Sequence, residues 1–108
     1  MAYNEDLVYR IRQEFELLGI EIVEKKMFGG MSFLYSGKMT VGVIKEDLVA
    51  RVLLDEHPEV LEHEFIRPMD FTGKSLKDFL YVNADGLQNG EDIIYWIELG
   101  VEHAKSKV

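Results

Sequence analysis

A pair of adjacent glycines, Gly29-Gly30, is the segment of this sequence most suggestive of chemistry, because glycine-rich turns can present backbone amides to a phosphate group. The pair lies between two stretches of strand-like alternation, whereas the glycines of dinucleotide-binding and P-loop motifs precede a helix. Neither of those glycine patterns occurs around it. Glycine also permits the bends and bulges through which a sheet coils, so the spacing favours a structural role.

Basic side chains could surround this turn and form an anion-binding surface. The candidates are Lys26, Arg51, Arg67 and Lys77. Arg51 falls in the middle of a strand on an otherwise apolar face, where a guanidinium needs a carboxylate or an opening in the core. An ordinary ion pair with Asp70 or Glu24 would account for it. The basic residues between 67 and 77 could bind an anion or a partner's acidic segment, or they could balance the acidic residues that precede them.

The sequence contains no recognisable catalytic set. Its three histidines, His57, His63 and His103, are predicted to lie on the surface. On a helix, His57 and His63 would fall on nearly opposite sides, so they could not share a metal ion. There is no cysteine to act as a nucleophile or thiolate ligand, and no serine stands in a nucleophile-elbow motif. We therefore expect a protein that is not an enzyme and that uses no metal or other cofactor.

The charge of the chain argues against several classes of partner. Twenty acidic and twelve basic side chains give a formal net charge of −8, so direct nucleic-acid binding is not expected. No apolar run approaches the length of a membrane span, and the N-terminal residues lack the features of a signal peptide. The absence of cysteine suits a reducing compartment, so we expect a cytoplasmic protein. A length of 108 residues predicts a single domain over 1–108.

The elements that must position these residues begin with an amphipathic helix. Asn4 is a favourable N-cap, apolar residues then recur at helical spacing, and Gly19 is placed to end the helix. Apolar alternation from Ile20 to Leu54 predicts four strands joined by short turns, among them Ser36-Gly37. Strands joined so closely must be antiparallel, so we expect a β-meander. The third strand alternates at Met39, Val41 and Val43.

The second half of the chain is less regular until its last helix. Pro58 stands near the start of a short helix that is predicted to turn three apolar side chains inward, namely Val60, Leu61 and Phe65. Residues 67–74 are predicted as extended chain and loop, and residues 79–82 as a short strand. The last helix, capped by Asn89 or Gly90, carries Gly100 on its apolar stripe, which predicts that another backbone comes close there. The whole predicts an α+β domain, an antiparallel meander flanked by N- and C-terminal helices.

An ordered series of motifs resembles the TfoX N-terminal domain family. It comprises Lys26-Met27-Phe28-Gly29-Gly30-Met31-Ser32-Phe33, Asp47-Leu48-Val49-Ala50-Arg51-Val52, Arg67-Pro68-Met69-Asp70-Phe71-Thr72-Gly73-Lys74, and then Tyr81-Val82 and the helix around Trp96. The series covers nearly the whole chain and is far more specific than Met-Phe-Gly-Gly alone. The resemblance implies an α+β fold like that of secretion chaperones, which are often dimeric, and it implies no catalytic residue. Full-length members regulate natural competence and add a C-terminal helical domain that this sequence does not contain, so a competence role stays open.

We therefore expect a non-enzymatic regulatory domain that acts through protein contacts, as a homodimer with a further protein partner. The alternative is a small protein that binds an anion or another ligand. Its binding surface would comprise Lys26, Gly29, Gly30, Arg51, Arg67 and Lys77.

Overall fold

An antiparallel sheet of six strands, flanked by the first and last helices, makes up the fold. The computed structural model describes residues 3–27, 29–71 and 74–107, without the side chains of 68–71 and 74–77. In chain order the elements are α1 (Glu5–Leu18), β1 (Val23–Met27), β2 (Gly30–Tyr35), β3 (Lys38–Ile44), β4 (Asp47–Arg51), a 3₁₀ helix (Pro58–Glu62), β5 (Ile66–Phe71), β6 (Lys74–Val82), a 3₁₀ turn (Ala84–Gly86) and α2 (Gly90–Ser106). The strands lie in the order β1-β2-β3-β4-β6-β5. The predicted α+β class is confirmed.

Helix α1 forms where the sequence predicts it, because both of its ends are capped by suitable residues. The Leu7 backbone N–H donates to Asn4 Oδ1 at 3.1 Å. Gly19 ends the helix in the left-handed conformation, with a φ of 69°. The helix buries one stripe against the sheet, consisting of Leu7, Val8, Ile11 and Phe15.

Strands β1 to β4 form the predicted meander, but a bulge interrupts β3. The hairpin between β2 and β3 turns through Ser36 and Gly37, both at positive φ. The pairing between β2 and β3 shifts by one residue near this turn: Phe33 pairs with Val41, whereas Leu34 pairs with Met39. Thr40 is therefore an extra residue, and it reverses the phase of the side chains beyond it. The predicted strand is confirmed, but its regular alternation is wrong at Met39, which packs on the opposite face of the sheet from Val41.

The segment between β4 and β6 departs most from the sequence-based expectation. A 3₁₀ helix buries Val60 completely but leaves Leu61 53% exposed, and Phe65 beyond it is 41% exposed. The prediction that all three point inward is wrong. In a 3₁₀ helix of three residues per turn Leu61 does not share the face of Val60, and Phe65 lies beyond the end of the helix. The extended chain predicted within 67–74 corresponds to β5, which pairs with β6. The residues between these two strands lie outside the described residues, so the predicted loop stays a prediction. Pro68 makes β5 hard to predict from sequence, because proline is unfavourable in strands except at a sheet edge. β5 is an edge strand, so the proline is tolerated there.

Helix α2 supplies most of the contacts with the sheet. The Asp92 backbone N–H donates to Asn89 Oδ1 at 3.0 Å, which caps the helix. Every member of the predicted apolar stripe is buried, namely Ile93, Trp96, Ile97, Gly100, Val101 and Ala104. A Cβ on Gly100 would lie 2.4 Å from the Thr40 carbonyl oxygen, so the predicted close backbone approach is confirmed. Among the described residues, no helix has both the length and the apolar character that crossing a bilayer requires.

Candidate interaction surface

The face of the sheet opposite the two helices carries an apolar cluster of its own. The main core joins α1 and α2 to one face of the sheet through strand residues such as Val41, Leu48 and Leu80. The second cluster, called the rear-face cluster below, consists of Met39 and Val49 with Leu34, Ile44, Phe79 and Tyr81 packed against them. All six belong to strands, and no apolar side chain of a described helix packs against this cluster. Its outer members are only partly buried, which leaves apolar and aromatic surface accessible.

Two arginines border the rear-face cluster and lie over its aromatic rings. The guanidinium carbon of Arg51 is 4.8 Å from the centre of the Phe79 ring, and that of Arg67 is 4.6 Å from the Tyr81 ring. These are cross-strand neighbours, because β6 pairs with β4 on one side and β5 on the other. Arg67 also donates a 2.6 Å hydrogen bond to Asp47 Oδ2. Each guanidinium therefore lies over a ring in cation–π contact.

Arg51 does not pair with Glu24, which was one of the two partners expected for it. Glu24 instead accepts two hydrogen bonds from Arg12 of α1, at 2.6 and 2.7 Å, and these lower the pKa of the Glu24 carboxyl. The expectation is wrong because β1 and β4 are separated by two strands. The side chain of Asp70, the other expected partner, lies outside the described residues. Arg51 Nε is buried and has no hydrogen-bond partner among those that are described.

Both glycines of the pair are required by the backbone geometry at the β1–β2 turn. Gly29 has a φ of 76°, in the region that side chains rarely adopt. A Cβ on Gly30 would lie 1.9 Å from the Val43 carbonyl oxygen, so only glycine lets β3 pass this close. The neighbouring Phe28 lies outside the described residues. The geometry agrees with the structural alternative for the pair, while a binding role stays a prediction.

The predicted binding residues are only partly brought together. Arg51 and Arg67 flank β6 on the same face of the sheet. Lys26 is exposed on β1, at the opposite edge from the β5 strand that carries Arg67. With strands about 4.8 Å apart, those two edges are separated by about 24 Å. Lys77 belongs to β6, but its side chain is outside the described part of the molecule.

Two of the three histidines tether the 3₁₀ region to α2. His57 Nε2 lies 2.7 Å from Glu102 Oε1, and this hydrogen bond raises the pKa of His57. His63 Nε2 lies 3.0 Å from the hydroxyl of Tyr95. Within the described ranges, no group of three or more histidine, cysteine, aspartate or glutamate side chains is placed to hold a metal ion.

His103 is buried, contrary to the surface position predicted for it. Only 1% of its surface is exposed, and its Nε2 lies 3.2 Å from Asp78 Oδ2. Burial lowers the pKa of His103 below its ordinary value of 6.5, against the opposing effect of the Asp78 hydrogen bond. The helical spacing could have shown this, because His103 comes seven residues after the buried Trp96 and so falls on the same stripe.

Comparison with known proteins points to one family. A family model described as the TfoX N-terminal domain matches residues 14–104. That range contains all six strands, most of α2 and the C-terminal end of α1, so the match covers the whole sheet and most of the helix that packs on it most extensively. No curated protein matches the chain, and no solved structure matches it.

Proposed function

This chain belongs to the TfoX N-terminal domain family, and on that basis we propose that it is a non-enzymatic, cytoplasmic regulatory domain that acts by binding other protein chains. We propose further that one of these chains is a second copy of itself, bound through the rear-face cluster. The family suggests a regulatory role related to competence. The proposal that the domain binds protein chains is supported by the apolar and aromatic surface on the sheet face opposite the helices.

The residue types on this face support a protein interface. Interface cores are enriched in aromatic residues, methionine and arginine, and depleted in lysine and glutamate. The rear-face cluster combines Met39, Phe79 and Tyr81 with the two arginines stacked on its rings. Phe79 and Tyr81 are held in place by their neighbours, so little side-chain freedom is lost when a partner covers them.

The size of the face also suits a second copy of the chain. Six strands spaced about 4.8 Å apart, each about 20 Å long, present roughly 500 Å². Two copies would bury on the order of 1,000 Å² together, which reaches the lower range of specific interfaces. Sheets that pack face to face are a common way of covering such surfaces.

Light scattering after size exclusion tests the dimer directly. We expect a mass twice that of the 12.5 kDa chain. The variant Tyr81→Glu should run as a folded monomer, because it places a carboxylate in the middle of the interface. Tyr9→Glu is the matched control, since Tyr9 is 55% exposed on α1 and should leave the dimer intact. A wild-type monomer at the highest soluble concentration would refute the homodimer.

Anion binding is the second candidate, and it is favoured by the buried Nε of Arg51, which has no hydrogen-bond partner among the described residues. An anion on the rear face could accept a hydrogen bond from this buried donor. Arg67 is already paired with Asp47, and Lys26 lies at the far edge of the sheet, so the site would depend on Arg51. A thermal-shift screen with nucleotides, sugar phosphates and carboxylates tests it. The stabilisation by any hit must disappear in Arg51→Met, and a screen without hits removes this candidate.

A further inference from the structure

A cleft separate from the rear-face cluster opens between the 63–66 segment, the 85–89 turn and the first half of α2. Its volume is about 520 Å³. None of its lining residues belongs to the rear-face cluster. Whatever occupies this cleft therefore leaves the proposed dimer surface free.

One wall of the cleft is aromatic, and its rings hold each other in fixed positions. The rings of Tyr95 and Trp96 meet edge to face with their centres 4.9 Å apart. The His63 ring lies 5.1 Å from Tyr95 and 5.6 Å from Trp96, and it also shares a hydrogen bond with the Tyr95 hydroxyl. Phe65 adds a further ring that is 41% exposed. The faces of such preorganised rings attract cations, through the ring quadrupole.

The aromatic wall also offers an unused hydrogen-bond donor. Trp96 is only 3% exposed, and its indole N–H makes no hydrogen bond with any described residue. The fully buried side-chain nitrogens without a partner are Arg51 Nε and His103 Nδ1 in the described part of the chain. The indole nitrogen is not one of these fully buried atoms, and Trp96 lines the cleft. A buried donor of this kind calls for an acceptor on the bound molecule.

The cleft is also strongly acidic. Four carboxylates line it, on Glu64, Asp85, Glu91 and Asp92, while no lysine or arginine is found among the described lining residues. Asp92 Oδ2 accepts a hydrogen bond from the Gln88 backbone N–H at 3.2 Å. The other three carboxylates make no hydrogen bond or ion pair to the described residues, so they are available to a cation. Carboxylates beside a low-dielectric aromatic wall concentrate negative potential in the cleft.

We propose that this cleft binds an arginine or lysine side chain on an extended segment of a partner protein. The cationic group lies against the aromatic wall and pairs with the free carboxylates, while a backbone carbonyl of the same segment accepts the Trp96 N–H. A basic peptide supplies both the positive charge that complements the carboxylates and the acceptor that the Trp96 N–H lacks. The inference rests on the proposed role of the domain in binding protein chains and names the chemistry of one partner.

The fluorescence of Trp96 reports directly on occupancy, because it is the single tryptophan of the chain. The probe is an acetylated and amidated Gly-Arg-Gly-Arg-Gly peptide, and its control has citrulline in place of arginine. We expect the arginine peptide to change the Trp96 fluorescence in a saturable way, and we expect high salt to abolish its binding. The citrulline peptide, which is uncharged and nearly isosteric, should leave the fluorescence unchanged. Equal binding of both peptides, or no saturable change with either, would overturn the proposal.

A pair of triple variants separates the cleft from general attraction to an acidic protein. The cleft variant combines Glu64→Gln, Asp85→Asn and Glu91→Gln, and it should weaken arginine-peptide binding by roughly tenfold. The control variant has the same net charge and removes three exposed carboxylates elsewhere, through Glu16→Gln, Glu21→Gln and Glu56→Gln. It should bind within about twofold of the wild type. Equal weakening in the two variants refutes a specific site.

Two further measurements identify the occupant and separate this inference from the dimer. Arginine amide that bound as tightly as the peptide would show a small-cation site and overturn the peptide assignment. The Tyr81→Glu variant should still bind the arginine peptide, and the cleft variant should still have the mass of a dimer. Failure of the cleft therefore leaves the dimer standing, and failure of the dimer leaves the cleft standing.

Discussion

Replacing Gly100 by alanine should destabilise this protein, although helix propensity alone predicts the reverse. Alanine in the interior of an exposed helix gains about 1 kcal/mol over glycine. Here the added Cβ would lie 2.4 Å from the carbonyl oxygen of Thr40 and 2.7 Å from its carbonyl carbon. To restore 3.0 Å, which side-chain atoms essentially never undercut, helix and strand must separate by about 0.6 Å. Overpacking of this kind costs about 3 kcal/mol at the upper end, so the net loss is about 2 kcal/mol.

Thermal unfolding followed by circular dichroism measures this loss. A net 2 kcal/mol lowers the melting temperature of a domain of this size by roughly 10 °C. Gly90→Ala in the same helix is the matched control. Its Cβ would meet only the carboxylate end of Glu14, at 2.6 Å, and that flexible side chain can move away. The control should stay within about 0.5 kcal/mol of the wild type. A melting temperature of Gly100→Ala at or above that of the wild type would refute the close packing of α2 on β3.

Three other perturbations test the same framework by denaturant unfolding. Gly30→Ala should lower the free energy of unfolding more than Gly29→Ala does, because its Cβ would lie 1.9 Å from a carbonyl oxygen of β3. Gly29→Ala adds only backbone strain of about 1 kcal/mol at positive φ. The reverse order of the two losses would contradict the geometry. Burial holds the pKa of His103 below its unfolded value of 6.5, so the unfolded state binds more protons and stability should fall as the pH drops below 6.5. His103→Gln should show a smaller loss, and an unchanged pH profile would count against the buried imidazole. Asn89→Ala should cost about 1 kcal/mol through loss of the α2 cap, whereas no change would show that the cap contributes nothing.

The sequence alone predicted the features that depend on neighbouring residues. Asn4 and Gly19 define α1 because a cap is a contact within one turn of chain. Ser36-Gly37 was recognisable because a two-residue hairpin needs residues that tolerate positive φ. The apolar stripe of α2, including the close approach at Gly100, follows from a period of 3.6 residues. The same period could also have revealed that His103 is buried.

The tertiary structure alone decided which distant residues meet. The position of β5 outside β6 placed Arg67 and Lys26 at opposite edges of the sheet, and no local signal encodes the order of strands. One extra residue at Thr40 moved Met39 to the rear face, because side chains alternate with a period of two. The aromatic and acidic cleft joins segments 63–66, 85–89 and 91–96, which only folding brings together. Caps, turns and periods are set by adjacent residues, whereas surfaces are set by packing between elements far apart in the chain.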